Sequence, residues 1–354
     1  MKRVYSGIGG QAVIEGIMMK NKQDYAVAVR KADGEIVVDK KTYVTIQEKH
    51  KILSLPFIRG IFSFIDSMVM GLKTLTYSAS FFDEEEITKE ETDRLMVVSV
   101  IIAIIAAIGL FMLLPMFLSN LLKKVINNEF VIALIEGLIR ITIFIIYIKV
   151  ISRMNDIKRT FMYHGAEHKC INCVELGNDL TVENVMKASK EHKRCGTSFI
   201  IIVMIISILF FMVIRIDNLA LRALSRIVLV PVIAGVSYEF LRLAGRSENP
   251  IINILSRPGM WMQGLTTKEP TEDMVEVAIR ATEEVFDWKA FLTENFGKEY
   301  PQEPEATAAE AETTAAEPET TAAEPETVAA ETETVELQTT ATEAENRIIE
   351  TKEE

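Results

Sequence analysis

The sequence predicts a mainly α-helical, polytopic membrane protein with about four transmembrane helices, a small N-terminal β-sheet and a disordered acidic C-terminal tail. Three observations predict it. Hydrophobic residues make up 49% of the 354-residue chain and the mean hydropathy is +0.20, a composition unlike that of ordinary soluble domains. The apolar residues gather in four blocks. The first, LMVVSVIIAIIAAIGLFMLLPMFL (95–118), runs 24 residues without a charge, longer than the roughly 20 needed to cross a bilayer core. Residues 301–354 hold 16 Glu against one Arg and one Lys and repeat AAEPET, which leaves almost nothing to bury.

The N-terminal cytoplasmic segment is residues 1–55. Its opening, MKRVYSGIGGQAVIEG, lacks the apolar stretch of a cleavable signal peptide. Gly7, Gly9, Gly10 and Gly16 do not follow the order of a phosphate loop, and close backbone packing accounts for them. DYAVAVR alternates, KADG supplies a turn, and EIVVDKKTYVTIQ is rich in β-branched residues, so 24–47 reads as strands.

Residues 56–94 begin with an apolar run long enough to span, FIRGIFSFIDSMVMGLKTLTYSASFF. Arg59, Gly60, Asp66, Gly71 and Lys73 interrupt it, which predicts a helix lying in the interface or re-entering the bilayer. The acidic connector DEEEITKEETD (83–93) follows. Transmembrane helices 1 and 2 fall within 95–151 and helices 3 and 4 within 197–244. Glu136 and Arg140 share a face of the second, and Glu239 and Arg242 lie three apart on the fourth. A lone charge in the bilayer costs several kcal/mol, so two ion pairs are expected, drawn together in a polar interior. The loop 152–196 holds eight Lys and Arg, against two in 119–129 and three in 215–226. By the positive-inside rule that loop and both termini are cytoplasmic. In the cytoplasmic segment 245–300, Trp261 reads as an interfacial anchor and DMVEVAIRATEEVFDWKAFL (273–292) as an amphipathic helix docked on the cytoplasmic body.

The chemistry concentrates in the loop 152–196. Three of the four histidines and all three cysteines lie between 164 and 195, in YHGAEHKCINC and EHKRCGTSF. His164 and His168 are one helical turn apart with Glu167 beside them, the H-x-x-E-H order in which two imidazoles hold zinc and the carboxylate activates water. His192 and Cys195 stand next to the third span and can complete the shell, as can Glu15 if it is not an ordinary surface charge. The same residues allow a structural zinc knuckle from Cys170, Cys173, His192 and Cys195, a Cys170–Cys173 dithiol without its usual βαβ setting, or a metal-free polar junction. A cytoplasmic loop keeps thiols reduced, which argues against disulfides. The tail carries −14 of the net −12, leaving the body near +2. Its basic residues are scattered with no aromatic platform among them, so nucleic acid is not an expected partner.

GIGGQAVIEGIMMK, PFIRGIFSFIDSMVMGLKTL, YHGAEHK, HKRCGTSF and SRPGMWMQGLTTKEPTEDMVEVAI, in that order over about 5–285, resemble the DUF1385 family. The resemblance implies a multi-pass protein of the bacterial plasma membrane with metal-dependent chemistry. Its pattern falls on Glu15, His164, Glu167, His168, His192, Arg194 and Cys195 and leaves out Cys170 and Cys173. Two functions are expected. In the first, a metal-dependent hydrolase works at the cytoplasmic membrane surface on a membrane protein or lipid head group. A divalent ion, zinc, is held by His164 and His168 with His192, Cys195 or Glu15, Glu167 is the general base, and Arg194 steadies an anionic intermediate. The second is a non-enzymatic membrane scaffold or membrane-protein biogenesis factor with a structural metal or polar network.

Overall fold

The computed structural model describes residues 3–82, 89–214, 216, 218–247 and 249–301. Residues 83–88 of the acidic connector and the acidic tail beyond Pro301 lie outside the described residues. Four strands, β1 (Gly9–Val13), β2 (Gly16–Asn21), β3 (Asp24–Arg30) and β4 (Ile36–Thr42), form an antiparallel meander in the order β1-β2-β3-β4. Their side chains alternate between two cores, as the period of two demands. Ile17, Met19, Ala26 and Ala28 face one; Val13, Met18, Val27 and Val29 face the other. Burial on both faces explains why these short strands are so apolar.

The helices are α1 (Ile46–Lys49), α2 (Ile58–Ala79), α3 (Lys89–Ile108), α4 (Leu114–Leu122), α5 (Glu129–Ile151), α6 (Asn155–Glu175), α7 (Val182–Lys187), α8 (Gly196–Val213), α9 (Leu219–Arg246), α10 (Pro250–Thr266), α11 (Glu272–Val285) and α12 (Trp288–Phe296). The chain is thus mainly helical. Among the described residues, four helical stretches are long and apolar enough to cross a membrane: Arg94–Leu122, Glu129–Ile151, Gly196–Val213 and Ala220–Gly245. They coincide with the four predicted blocks. Asn128, Asn218 and Asn249 start α5, α9 and α10, each side chain accepting from a backbone N–H of the first turn, the ordinary role of Asn at an N-cap.

The predicted amphipathic helix over 273–292 is two helices. α11 buries Met274, Val275, Ala278, Ala281 and Val285 against β2, β3 and α6. The chain then leaves the helical conformation at Phe286, and Asp287 caps α12 by accepting from the Ala290 N–H at 2.8 Å. Aspartate favours a cap over a helix interior because its carboxylate competes for backbone donors.

α2 packs along α9 and beneath the sheet. Its buried face is mostly small and polar (Gly60, Asp66, Gly71, Thr74 and Ser78, with Met70 among them), while Phe64, Ile65, Met68, Val69 and Leu75 are exposed. This reverses the pattern of a soluble amphipathic helix. The approach to α9 is tight: a Cβ on Gly235 would stand 2.4 Å from the Phe57 carbonyl oxygen, so only glycine fits there.

The predicted ion pairs need two corrections. Glu239 pairs with Arg59 of α2, whose Nε donates at 2.6 Å and whose Nη2 makes a second bond, and not with Arg242. Packing of α2 on α9 brings in a guanidinium that sequence spacing could not show. Glu136 and Arg140 do meet, at 3.3 Å, but the main partner of Glu136 is Arg226 of α9, which grips both carboxylate oxygens, Nη2 at 2.7 Å from Oε2. Ser119 donates to the same carboxylate at 3.1 Å. The four expected residues therefore do not form one cluster.

Arg140 has a further role. Pro115 lacks an N–H and cannot continue the hydrogen-bond ladder to residue 111. The chain takes a π-helical turn at Gly109–Leu113, a form that often marks such an interruption, and the Phe111 carbonyl accepts instead from Arg140 Nε at 2.9 Å. Ser207 of α8 accepts from Nη1 at 2.8 Å.

Removing one member of such a buried ionic network leaves the others uncompensated, at a cost of about 3–5 kcal/mol. Glu136→Ala should lower unfolding stability in detergent by about that much, measured by denaturant titration followed by Trp fluorescence. A Glu136→Ala, Arg226→Leu double variant should recover part of the loss.

Candidate metal and acid–base site

α6 is the framework. Every residue from Gly165 to Glu175 is buried, although the run HGAEHKCINCVE is strongly polar. Burial of polar groups is tolerated only with partners, and the partners come from the segments packed around the helix. Lys169 Nζ donates to the carbonyls of Met186 at 2.8 Å and Ala188 at 2.9 Å. Asn172 Nδ2 donates to those of Ser189 at 2.6 Å and Glu191 at 2.9 Å. These bonds fix the strip 186–191 along the helix. On the other side, Lys268 N–H donates to the Phe161 carbonyl at 2.8 Å. A Cβ at Gly165 would lie 2.0 Å from the Lys268 carbonyl oxygen, so this close approach requires glycine.

The two held segments each present one carbonyl to a histidine. Thr266 O lies 3.0 Å from His164 Nδ1, and Lys190 O lies 2.6 Å from His168 Nδ1. A carbonyl can only accept, so each Nδ1 carries a proton, and in the neutral ring this leaves the Nε2 lone pair to bind an ion. That is the arrangement in which backbone groups orient imidazoles for a metal. The rings are 4.4 Å apart, centroid to centroid. Cys195, the N-cap of α8, brings its Sγ to 3.2 Å from His164 Nε2. The three ligand atoms of His164, His168 and Cys195 lie within 4.8 Å of one another.

Gln263 of α10 sets the approach to Cys195. It is fully buried, accepts from the His192 N–H at 2.8 Å and donates to the His192 carbonyl and to Ser198 Oγ, both at 2.7 Å. Glu167 is buried beside the trio and lines, with it, a cavity of about 610 Å³. Burial raises its carboxyl above the usual range, opposed by nearby His164 and by the neighbouring Gly10 backbone N–H. A carboxyl so placed holds and releases a proton closer to neutrality than an exposed glutamate.

His192 and Arg194 are near but otherwise engaged. The His192 ring is 5.8 Å from that of His168, yet its Nε2 faces Glu175 at 3.5 Å. Arg194 pairs with the same carboxylate and covers the Tyr5 ring at 3.9 Å. Both still line the cavity. Glu15 stands apart: it binds Arg159 through both oxygens and accepts from the Tyr163 hydroxyl at 3.3 Å. Its place at the tip of the β1–β2 turn, φ +48°, aims it at the first turns of α6. Cys170 and Cys173 belong to the core between α6, the sheet and α11, and burial pushes both thiols up, Cys173 to about 12. They do not join His192 and Cys195, so the four-ligand knuckle does not form. Thr266, Lys190, Gln263 and Glu175 were not singled out in the sequence. Only the restricted setting of Gln263 among apolar neighbours carries a trace of its role.

Burial lowers His192 to about 4, the bond to Glu175 opposing it. Glu175 is driven up by burial, but His192 and Arg194 outweigh this and bring it to about 2. Both folded values lie below the unfolded ones, so the stability they confer is complete above about pH 6.5 and is lost on acidification, His192 first and Glu175 last. The thermal midpoint in detergent should therefore fall between pH 7 and pH 5. A His192→Gln variant should show a flatter fall over that interval.

The family model described as "Protein of unknown function (DUF1385)" matches residues 55–288. The uncharacterized protein YqhQ of Bacillus subtilis (strain 168) is 35% identical over 312 residues, covering 83% of this chain and 96% of that protein. No solved structure matches. The site residues of α6 and the start of α8, together with the helices that carry them, all lie inside the matched region, and the chain belongs to the DUF1385 family.

Proposed function

We propose that the chain is an integral membrane protein of the bacterial plasma membrane, both termini cytoplasmic, and that it acts there as a metal-dependent hydrolase. The observation that carries this reading is the trio His164, His168 and Cys195, with both Nδ1 atoms held by backbone carbonyls and the Nε2 and Sγ atoms turned to one cavity. Three protein ligands with an open position are the pattern of catalytic rather than structural zinc. Ligand atoms of a tetrahedral zinc stand roughly 3.3–3.6 Å apart, from bond lengths of 2.0–2.3 Å. The closest pair here stands 3.2 Å apart and all three ligand atoms lie within 4.8 Å of one another, so small side-chain adjustments would bring them to that spacing, and the mixed nitrogen and sulfur donors suit zinc.

A divalent ion held by His164, His168 and Cys195 would supply a Lewis acid. Glu167 is placed to take the proton from attacking water and return it to the leaving group. Arg194, held in place by Glu175, contributes positive charge along the cavity wall toward an anionic transition state. His192 and Glu15 serve the site through their own partners and are not counted among the ligands. The apolar spans beside the cavity suit a substrate at the membrane boundary.

Elemental analysis of detergent-purified full-length protein tests the reading. Zinc should be present at about one ion per chain, as three-ligand sites with a single open position hold, and a His164→Ala, His168→Ala double variant should lose it. Glu167→Gln should keep the metal and fail to restore function in a deletion strain. Protein without metal above background sinks the reading. If Glu167→Gln is silent in the strain while Glu136→Ala is not, the scaffold or biogenesis function takes its place.

A further inference from the structure

The cavity has a wall that proton transfer and metal binding do not use. The consecutive residues Ile8 to Ala12, most of β1, line it. β1 is an edge strand: β2 pairs with one side, and among the described residues no strand pairs with the other. The β1–β2 hairpin closes through the two-residue turn Ile14–Glu15, with Val13 opposite Gly16. Val13, Gln11 and Gly9 therefore exchange backbone hydrogen bonds with β2, and the backbone groups of Gly10 and Ala12 point away from it. By this alternation the N–H and C=O of Gly10 and Ala12 are turned to the free edge. A Cβ on Gly9 would meet nothing within 4 Å, so there is open space beside the strand at that position.

Unpaired groups on an edge strand form a template for another chain, and natural edges of this kind are usually blunted or covered. This one instead faces a cavity that also holds His164, Glu167 and Cys195. The facing wall is apolar, with Phe64 of α2 against Phe199 of α8 at 5.6 Å between ring centroids, and Leu241 of α9 beside them.

We infer that the cavity takes an extended polypeptide segment, which adds as a further strand to the free edge of β1 and is thereby laid beside the trio and Glu167. The inference rests on the hydrolase reading for what becomes of the segment, and on the edge strand alone for its binding. Main-chain bonds give such a complex its affinity, and alternate side chains give its specificity. Here one set of alternate side chains meets Phe64, Phe199 and Leu241, which selects apolar residues at every second position. β1 is five residues long, about 17 Å at the usual rise of a strand, and holds a segment of about that length. A lipid would suit the apolar wall but would leave the edge groups of Ala12 unused.

The test uses the full chain in detergent micelles and fluorescein-labelled casein, an unfolded polypeptide, as probe. Binding is read by fluorescence anisotropy, and amide hydrogen exchange of residues 9–13 is followed with and without casein. Casein should bind and slow exchange in β1 at least tenfold. Ala12→Pro removes an outward N–H and no ladder bond, and should weaken binding at least tenfold. Gly9→Val fills open space and should do the same with an unchanged thermal midpoint; if Ala12→Pro unfolds the protein, Gly9→Val decides. Absence of casein binding, or binding indifferent to both changes, overturns the inference. A dansyl-labelled phosphatidylglycerol that protects residues 9–13 and displaces casein also overturns it, assigning the cavity to lipid. Protein that holds no metal yet shows the protection removes the hydrolase reading alone, and protein that holds metal without it removes this one alone.

Discussion

A polar helix buried in the middle of the protein sets most of the structure. α6 buries lysine, asparagine, glutamate and His168 and half-buries His164, and each unmet buried donor or acceptor there would cost about 1–3 kcal/mol. The surrounding chain is arranged to meet them. Residues 186–191 have no regular structure over most of their length, yet their carbonyls satisfy Lys169, Asn172 and His168. The end of α10 does the same for His164. The hydrogen bonds that pin the histidines are thus part of the general solution to burying this helix. A site assembled in this way has little freedom to rearrange, because moving one imidazole would strand a backbone carbonyl.

The same principle governs the apolar helices with the opposite sign. There, polar groups are few and each is expensive, so the structure spends several partners on one. Glu136 draws Arg226, Arg140 and Ser119, and the carbonyl released by Pro115 draws Arg140 Nε. Phe211 lies between the two guanidiniums, 5.2 Å from Arg140 and 4.8 Å from Arg226. These contacts tie α4, α5, α8 and α9 together at one level. The second charged contact, Glu239 with Arg59, fastens α2 to α9. α2 is thereby fixed where Ser63, Phe64 and Ser67 close one side of the cavity.

What could be read from the sequence follows from which interactions are local. The four apolar blocks, the alternating strands and the i, i+4 spacing of His164 and His168 are properties of short windows, and each appears in the fold. Cys195 could be tied to those histidines only by its rarity and its place before an apolar block, and it does reach them. Pairings set by tertiary packing were out of reach. Arg59 and Arg226 lie 180 and 90 residues from their carboxylates, and the neighbours that spacing offered, Arg242 and Arg140, proved to be absent or secondary partners. The apolar run around Glu15 left it open as a metal ligand or a surface charge, and Arg159 on the first turns of α6 takes it as an ion pair. Thr266 and Lys190 act through their carbonyls, for which the identity of the side chain carries no signal at all.

Glu167 links the two halves of the cavity. It is one residue from His168 along α6, and its side chain lies against Gly10, in the middle of the edge strand. A Cβ on Gly10 would stand 2.5 Å from the Met18 carbonyl oxygen and 3.1 Å from Glu167 Cγ, so the strand and the helix meet there with no room for a side chain. Any displacement of β1 must therefore move the neighbour against which this side chain packs. A chain pairing with the free edge would stiffen β1 and, through Gly10, hold the Glu167 side chain in place relative to the imidazoles. Preorganisation of that kind lowers the cost of aligning a base with its substrate. The turn of the hairpin is held from two sides: Ile14 N–H is bound to Ser78 of α2 at 3.1 Å, and Glu15 to Arg159 of α6. The turn is clamped so that the strand leading into it can serve as a wall.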